Sequence, residues 1–252
     1  MKSKIWVAAA VGLLATALSA PLATAQCGSY PGMMIKFDGD AWAYETAYDA
    51  ANLFSPNGSE LTVVGTVSVF CFPFTDLNPA DASTEYTFIW DGLVSQGTTS
   101  VAYMGTGRKY TTVYGGGSFR IYAGSPRNAP ATIPPSLPAP GVIPDLFVDG
   151  TMILSGAMGP LTVEVTKNPG GVSYSGTFTS NYWATGGTLY DRVEDASSLL
   201  TGAWCVVPPI TSKPGTCSLP TGWSAHPNGK WDMPGTVPTL PSTWGKIKTL
   251  YR

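Results

Sequence analysis

The segment Leu61-Thr62-Val63-Val64-Gly65-Thr66-Val67-Ser68-Val69-Phe70 indicates the fold of this chain most directly. Most of its residues are β-branched or aromatic, and the same is true of Glu85-Tyr86-Thr87-Phe88-Ile89-Trp90. Such side chains pack well on a pleated surface and therefore favour strands. Apolar residues recur mainly at every second position, which is the period of a strand rather than of a helix. We therefore predict a β-strand in each segment.

Several further segments have the same character, and turn signals separate them. The turn signals are Pro56-Asn57-Gly58, Asp91-Gly92, Asp149-Gly150 and Asn168-Pro169-Gly170-Gly171. Short strands joined by such turns predict an all-β fold, an antiparallel β-sandwich or a jelly-roll-like arrangement. The additional predicted strands are Val101–Met104, Lys109–Tyr114, Ser118–Ala123, Thr151–Ser155, Leu161–Thr166, Gly171–Thr179 and Ala203–Val207.

Three segments are harder to assign from their pattern. Ala41–Phe54 fits a short helix or an aromatic strand, because its aromatic residues also alternate. Leu189–Leu200 predicts a short helix, with Thr188 as its N-cap and Asp191 in its first turn. Gly115–Gly117 lies between two predicted strands and is typical of a bulge or a tight hairpin.

The composition excludes several classes of protein. The 252 residues include 14 Lys+Arg and 16 Asp+Glu, so the formal net charge at pH 7 is only −2. A disordered chain would combine high net charge with few apolar residues, and a nucleic-acid-binding protein would show a basic surface. The 29 glycines and 22 prolines disfavour a helical bundle, because these residues are the poorest helix formers.

The first 25 residues have the features of a secretory signal peptide. Lys2 and Lys4 precede the apolar run Ile5–Leu18, and Ala23-Thr24-Ala25 forms a small-x-small cleavage pattern. We predict cleavage after Ala25, which makes the mature protein secreted or periplasmic.

Two other interpretations of this leader are disfavoured. A transmembrane anchor needs about 20 apolar residues, and this run stops before Pro21. A lipoprotein would carry a small residue before its cysteine, whereas Gln26 precedes Cys27. We therefore expect no transmembrane segment in the mature chain.

Two Pro-rich regions set the expected domain boundaries. We predict one β domain over residues 26–205, which contains a long Pro-rich loop over residues 125–145. Residues 206–252 are rich in proline and tryptophan, and we expect them to form a C-terminal extension packed on that domain.

Four cysteines follow the predicted cleavage point: Cys27, Cys71, Cys205 and Cys217. An even number of cysteines in an exported chain indicates disulfides, and three connectivities are possible. We favour Cys27–Cys71 and Cys205–Cys217, because each pair joins near neighbours. A zinc site would instead require closely spaced Cys or His pairs, which the chain lacks.

The sequence shows little catalytic chemistry. Serine catalysis usually needs a histidine base, and His226 is the one histidine, in a Pro-rich segment. Glycoside hydrolysis needs two carboxyl groups in a cleft, but no spacing selects a pair, so the catalytic residues stay unknown. Turn formation explains Asp38-Gly39-Asp40 and Asp76–Asp81 better than calcium binding does, and we expect no metal and no cofactor. The candidate carboxyl groups for glycoside hydrolysis are the acidic residues near aromatic ones: Asp38, Asp40, Glu45, Asp49, Glu85 and Asp91.

Aromatic residues are abundant in this chain and make up 12% of it. Trp223 and Trp231 lie in the C-terminal extension, while Tyr110 and Tyr114 lie on a predicted strand. Flat aromatic faces suit sugar rings or a protein partner, so these four residues are candidate ligand contacts. The alternative is that they hold loops onto the β core.

The sequence therefore predicts an exported, β-rich, non-catalytic binding or structural module of the cell envelope or extracellular space. Its partner would be a glycan or a protein, and nucleic acid is not expected. The alternative is a carbohydrate-active enzyme or a carbohydrate-binding module. Strand alternation also suggests an outer-membrane barrel, which short predicted strands and the Pro-rich loop disfavour.

Overall fold

Strand pairing is antiparallel throughout the part of the chain that the structure, a computed structural model, describes: residues 27–28, 32–37, 41–129, 145–170, 174–193, 197–206, 219 and 222–233. The predicted signal peptide, most of the Pro-rich loop and most of the C-terminal extension lie outside these residues. The described strands are Met33–Phe37 (β1), Ala41–Glu45 (β2), Glu60–Thr66 (β3), Val69–Phe70 (β4), Glu85–Tyr103 (β5), Gly107–Gly115 (β6), Ser118–Gly124 (β7), Thr151–Met158 (β8), Leu161–Lys167 (β9), Tyr174–Gly186 (β10), Ser197–Cys205 (β11) and His226–Asp232 (β12).

Two long strands, β5 and β10, are shared by two layers of the molecule. The first half of β5 pairs with β3 and β7, and its second half pairs with β6. Likewise, β10 pairs with β9 along its first half and with β8 along its second. One layer therefore contains β6, β9, β11, β12, β1 and β4, and the other contains β2, β3, β7 and β8. This arrangement confirms the predicted all-β sandwich.

Glycines make the corner at which the chain passes between the layers. Gly92 has a φ of +68°, inside β5, and Gly117 has a φ of +107°, between β6 and β7. A Cβ on Gly92 would lie 3.7 Å from the Gly117 Cα, so the two bends sit side by side. The predicted Asp91-Gly92 turn is therefore a bend within one strand. Likewise, Gly115–Gly117 joins strands of different layers and is not a tight hairpin.

Aromatic rings from both layers form the core. Phe37 of β1 lies 4.8 Å from Phe88 and 5.5 Å from Trp90 of β5, measured between ring centroids. Phe119 of β7 similarly lies 5.4 Å from Trp231 of β12. Tilted and edge-to-face pairs of this kind add stabilisation beyond the burial of apolar area. The layers are thus held together by contacts between residues far apart in sequence.

A second apolar cluster covers the outer face of the layer that contains β2 and β3. Its buried members are Trp42, Val64, Ile89, Tyr122 and Phe147. The Thr87 hydroxyl donates a hydrogen bond to the Phe147 carbonyl oxygen at 2.9 Å, which fixes the covering segment. Burial on both faces explains why Ala41–Glu45 forms a strand, and the helical alternative for this segment is wrong.

The described strands differ from two sequence predictions. The predicted helix over Leu189–Leu200 is replaced by a single 3-10 turn, Tyr190–Arg192, followed by β11, because Leu200 and Trp204 are buried in the core. The C-terminal extension was expected to pack on the domain, but β12 lies within the sheet, between β11 and β1. The boundary at residue 206 therefore does not separate the sheet from an appendage.

The Cys27–Cys71 disulfide is present, as predicted. Cys205 is also disulfide-bonded, and its predicted partner Cys217 lies outside the described residues. Disulfides persist in oxidising compartments, so this bond is compatible with an extracellular protein. In the described part of the chain, no helix has the length and apolar character needed to cross a membrane.

Candidate functional site

The four aromatic residues singled out in the sequence have different surroundings. Trp231 and Tyr114 are only 1% and 3% exposed, so their rings pack in the core and offer no surface to a ligand. Trp223 is half-buried against the outer apolar cluster around Trp42. The ligand-contact prediction is therefore corrected for Trp231 and Tyr114. Tyr110 is half-buried and lines an open groove.

This groove lies between the β2–β3 loop, residues 46–59, and the far end of the β5–β6 hairpin. Its volume is about 540 Å³. One wall comes from the loop and the other from side chains on β5 and β6. The residues that line it are Asp49, Asn52, Phe54, Thr98, Ser100, Arg108 and Tyr110.

The loop wall is shaped by Asp49. Its Oδ1 accepts hydrogen bonds from the backbone N–H groups of Ala51 and Asn52, at 3.0 and 3.2 Å. Its Oδ2 accepts a hydrogen bond from Asn52 Nδ2 at 2.7 Å. These bonds, the Asn52 side chain first, lower the pKa of the Asp49 carboxyl, so Asp49 contributes a negative charge to the groove at neutral pH.

The same turn directs two apolar side chains in opposite directions. Leu53 adopts a φ of +53°, which is costly for a residue with a branched side chain. It is buried in the core at 5% exposure, whereas its neighbour Phe54 is 43% exposed at the groove. Burial of Leu53 thus positions the Phe54 ring on the groove wall.

The opposite wall presents a cation and a ring. Ser100 on β5 is paired with Tyr110 on β6. Two residues further along the hairpin, on the same face, Ala102 is paired with Arg108. Arg108 Nη1 donates a hydrogen bond to Ser100 Oγ at 2.8 Å, which orients the guanidinium along the wall. The groove therefore combines aromatic rings with both hydrogen-bond donors and acceptors.

A chain of hydrogen bonds leads from the groove into the protein. Thr98 Oγ1 contacts Thr112 Oγ1 at 2.8 Å and accepts a hydrogen bond from the Ser55 backbone N–H at 2.8 Å. Ser55 Oγ then donates to Glu45 Oε2 at 2.8 Å, and the Tyr114 hydroxyl donates to the same oxygen at 2.9 Å. Ser55 therefore links the groove to a buried carboxyl group.

The Glu45 carboxyl is only partly satisfied. The residue is 5% exposed, and its Oε1 is buried with no hydrogen-bond partner. Burial raises the pKa of Glu45, although the hydroxyl groups of Ser55, Ser59 and Tyr114 partly offset this effect. Burial, followed by the Glu45 charge, also raises the pKa of Tyr114. Burial likewise raises the pKa of Tyr48, with the Glu45 and Asp49 charges adding to it.

The other acidic candidates have structural partners. Glu85 is buried and accepts hydrogen bonds from the backbone N–H groups of Asn128 and Ala129, at 3.1 and 3.0 Å for the closest oxygens. Asp91 forms an ion pair with Arg120. Asp38 and Asp40 lie outside the described residues.

The remaining polar candidates lie apart from the groove. Asp76 forms a long-range ion pair with Arg192, whereas Asp81 accepts the backbone N–H of Ser83 at 2.8 Å, as expected for a turn residue. His226 begins β12, with its ring 6.0 Å from that of Trp42. Among the described residues, no group of three or more His, Cys, Asp or Glu side chains is arranged to hold a metal ion.

The sequence pattern missed most of the groove. Asn52, Phe54, Ser100 and Arg108 lie on two segments far apart in the chain, and no local motif joins them. The available signal was the Asx turn between Asp49 and Asn52, which predicts a fixed loop but not what faces it.

Comparison with models of protein families, with curated proteins and with solved structures finds no match to this chain. Its function is therefore inferred from the groove and from the hydrogen bonds behind it.

Proposed function

We propose that this protein is an exported, non-catalytic binding module and that its groove takes a carbohydrate ligand. The observation that carries the proposal is the set of groups on the groove walls. Arg108 supplies donors, Asp49 supplies acceptors, and Asn52 supplies both. The rings of Tyr110 and Phe54 add apolar faces.

Sugars match this set of groups. Each sugar hydroxyl both donates and accepts hydrogen bonds, so one hydroxyl can donate to Asp49 while another accepts from Arg108. The C–H face of a sugar ring is apolar and suits the side chain of Tyr110. An open groove of about 540 Å³ has the size of a small-molecule site.

A carbohydrate-active enzyme is the alternative, and the geometry supports it less well. Glycoside hydrolysis requires two carboxyl groups on the cleft, about 5 to 9.5 Å apart. Of the groove-lining residues that the structure describes, only Asp49 has a carboxyl group. Glu45 lies behind Ser55 and is buried. This arrangement supports binding rather than turnover.

Titration calorimetry with a panel of defined neutral and acidic oligosaccharides tests the proposal. The mature wild-type protein should bind at least one of them, without releasing shorter products. Because truncating a central contact in a binding site typically costs more than about 1 kcal/mol, R108A and Y110A should each weaken binding by about tenfold.

The control is R127A, since Arg127 is exposed and, within the described part of the chain, its side chain hydrogen-bonds only to the carbonyl oxygen of Asp81, at 3.3 Å. This variant should bind like wild type. Binding that R108A and Y110A leave unchanged would place the ligand elsewhere. Turnover that D49N abolishes would favour the enzyme instead.

A further inference from the structure

The β2–β3 loop is attached to the rest of the protein at its base, by backbone hydrogen bonds of Gly58 and Ser59 with Ser95, by burial of Leu53 in the core, and through Ser55. At the base, the Thr46 backbone N–H donates to the Glu60 carbonyl oxygen at 3.0 Å, and the Ala47 backbone N–H donates to Ser59 Oγ at 3.1 Å. Nearer the groove, Ser55 contacts both Thr98 and Glu45. Of these attachments, the Ser55 contacts are the ones that join the loop to Glu45, and Ser55 directly follows Phe54 of the groove wall.

Glu45 accepts a hydrogen bond from Ser55, and the surroundings of the Glu45 carboxyl suit its neutral form better than its charged form. Only Oε2 accepts hydrogen bonds, and Oε1 is buried without a partner. A neutral carboxyl can place its proton on Oε1, and leaving that O–H without an acceptor costs less than leaving a charge there. An ionised carboxyl leaves charge on an unsolvated oxygen, which is expensive inside a protein.

We infer that Glu45 is a proton-linked positioning residue for the groove: its neutral carboxyl keeps the β2–β3 loop closed, and its ionisation favours an open loop in which water reaches Oε1. The inference rests on the proposed function only in treating the groove as the binding site. Ligand affinity would then be higher in mild acid than at alkaline pH.

The titratable groups around Glu45 do not reverse this direction. Burial raises the pKa of Tyr114 on β6 and of Tyr48 in the loop. Both therefore stay neutral between mildly acidic and mildly alkaline pH. Asp49 and Tyr174 face Tyr48 from the loop and from β10, and Asp49 adds only negative charge. Among the described residues, no lysine or arginine forms an ion pair with Glu45.

The sign of the pH effect follows from linkage. The closed state raises the pKa of Glu45, because it buries the carboxyl. The closed state therefore binds the proton more tightly than the open state. Loop closure is fully favoured below the pKa of the open state, and it weakens as the pH rises through the pKa of the closed state.

Hydrogen–deuterium exchange of residues 46–59 between pH 4 and pH 8 tests the inference without any ligand. Protection factors, corrected for the intrinsic pH dependence of exchange, should fall as the pH rises. The expected fall is about tenfold for each unit by which the closed-state pKa exceeds that of the open state. In E45Q, which cannot ionise, protection should be independent of pH.

The matched control is E60Q, which makes the same substitution at an exposed position at the other end of the loop. It should keep the wild-type profile. Y114F removes a hydrogen bond that stabilises the carboxylate, so its transition should move to higher pH. This variant decides the question if E45Q does not fold.

Two results would overturn the inference: wild-type protection that does not change with pH, or a Y114F transition at the wild-type pH. Failure of the carbohydrate proposal is distinguishable from both. Absence of oligosaccharide binding leaves the exchange profile unaffected, and loss of the exchange profile leaves R108A and Y110A as tests of binding.

Discussion

Two buried tyrosines, Tyr114 and Tyr182, differ in whether their hydroxyl groups form hydrogen bonds. The Tyr114 hydroxyl contacts Ser55 Oγ at 2.9 Å and donates to Glu45 Oε2 at 2.9 Å. The Tyr182 ring lies in the core, edge-to-face with the Trp231 ring, and its hydroxyl has no hydrogen-bond partner. Burial strongly raises the pKa of Tyr182, which keeps it neutral. Comparing the two residues therefore separates how a buried hydroxyl affects the free energy of unfolding from how its hydrogen bonds affect it.

We predict opposite effects for removing these hydroxyls. Y114F should lower the free energy of unfolding by about 1–3 kcal/mol, because it removes a donor from a buried carboxyl. Y182F should leave that free energy unchanged or raise it by up to about 1 kcal/mol, because an unsatisfied buried hydroxyl is lost. Urea denaturation at one pH measures both. Equal losses in the two variants would contradict this account of Tyr182.

At this scale the sequence identifies residue types but not their surroundings. Glu45 and Asp49 are both acidic residues near aromatics, yet one is buried with a raised pKa and the other is exposed with a lowered pKa. The difference arises from burial: the loop and β6, which carry Ser55 and Tyr114, cover Glu45 from 10 and 69 residues away in sequence. Such long-range contacts leave no local pattern.

At the scale of elements, the strands were largely predictable and their corners were not. The segments Leu61–Phe70 and Glu85–Trp90 fall on β3, β4 and β5, as their β-branched and aromatic residues indicate. The pair Asp91-Gly92 is equally typical of a turn, but here β5 continues through it. Pairing with β3, β6 and β7 outweighs the local preference for a turn. Gly92 then serves as a bend.

The corner between β6 and β7 should be sensitive to any side chain. A Cβ on Gly117 would lie 2.6 Å from Leu93 Cδ2, in addition to the strain of a φ of +107°. We predict that G117A lowers the free energy of unfolding by more than about 2 kcal/mol. The control is G105A, whose φ is +64° and whose Cβ would meet no atom within 4 Å.

G105A should cost only the backbone strain of about 1–2 kcal/mol. Guanidinium denaturation of the two variants measures the difference between strain alone and strain with a clash. If G117A were no more destabilising than G105A, the corner would be able to relax, and tight packing of Leu93 against Gly117 would not be required for the two layers.

For the whole molecule, the Cys27–Cys71 bond joins the start of the described chain to the end of β4 across 44 residues. A link over this span restricts the unfolded chain, which the chain-entropy model values at about 4 kcal/mol. Within the described part, Cys27 contacts the small apolar cluster of Met33, Val69 and Cys71 rather than the main aromatic core. The folded layers should therefore form without the bond.

We predict that C27S/C71S retains the wild-type β content and unfolds cooperatively, with a free energy of unfolding lower by about 3–4 kcal/mol. Circular dichroism and urea denaturation under non-reducing conditions measure these properties, with the bond to Cys205 left intact. The m-value should rise, because an unlinked chain exposes more surface on unfolding. Loss of the native circular dichroism spectrum would instead show that the layers need this covalent link, and that the aromatic contacts between Phe37, Phe88 and Trp90 are insufficient to hold them together.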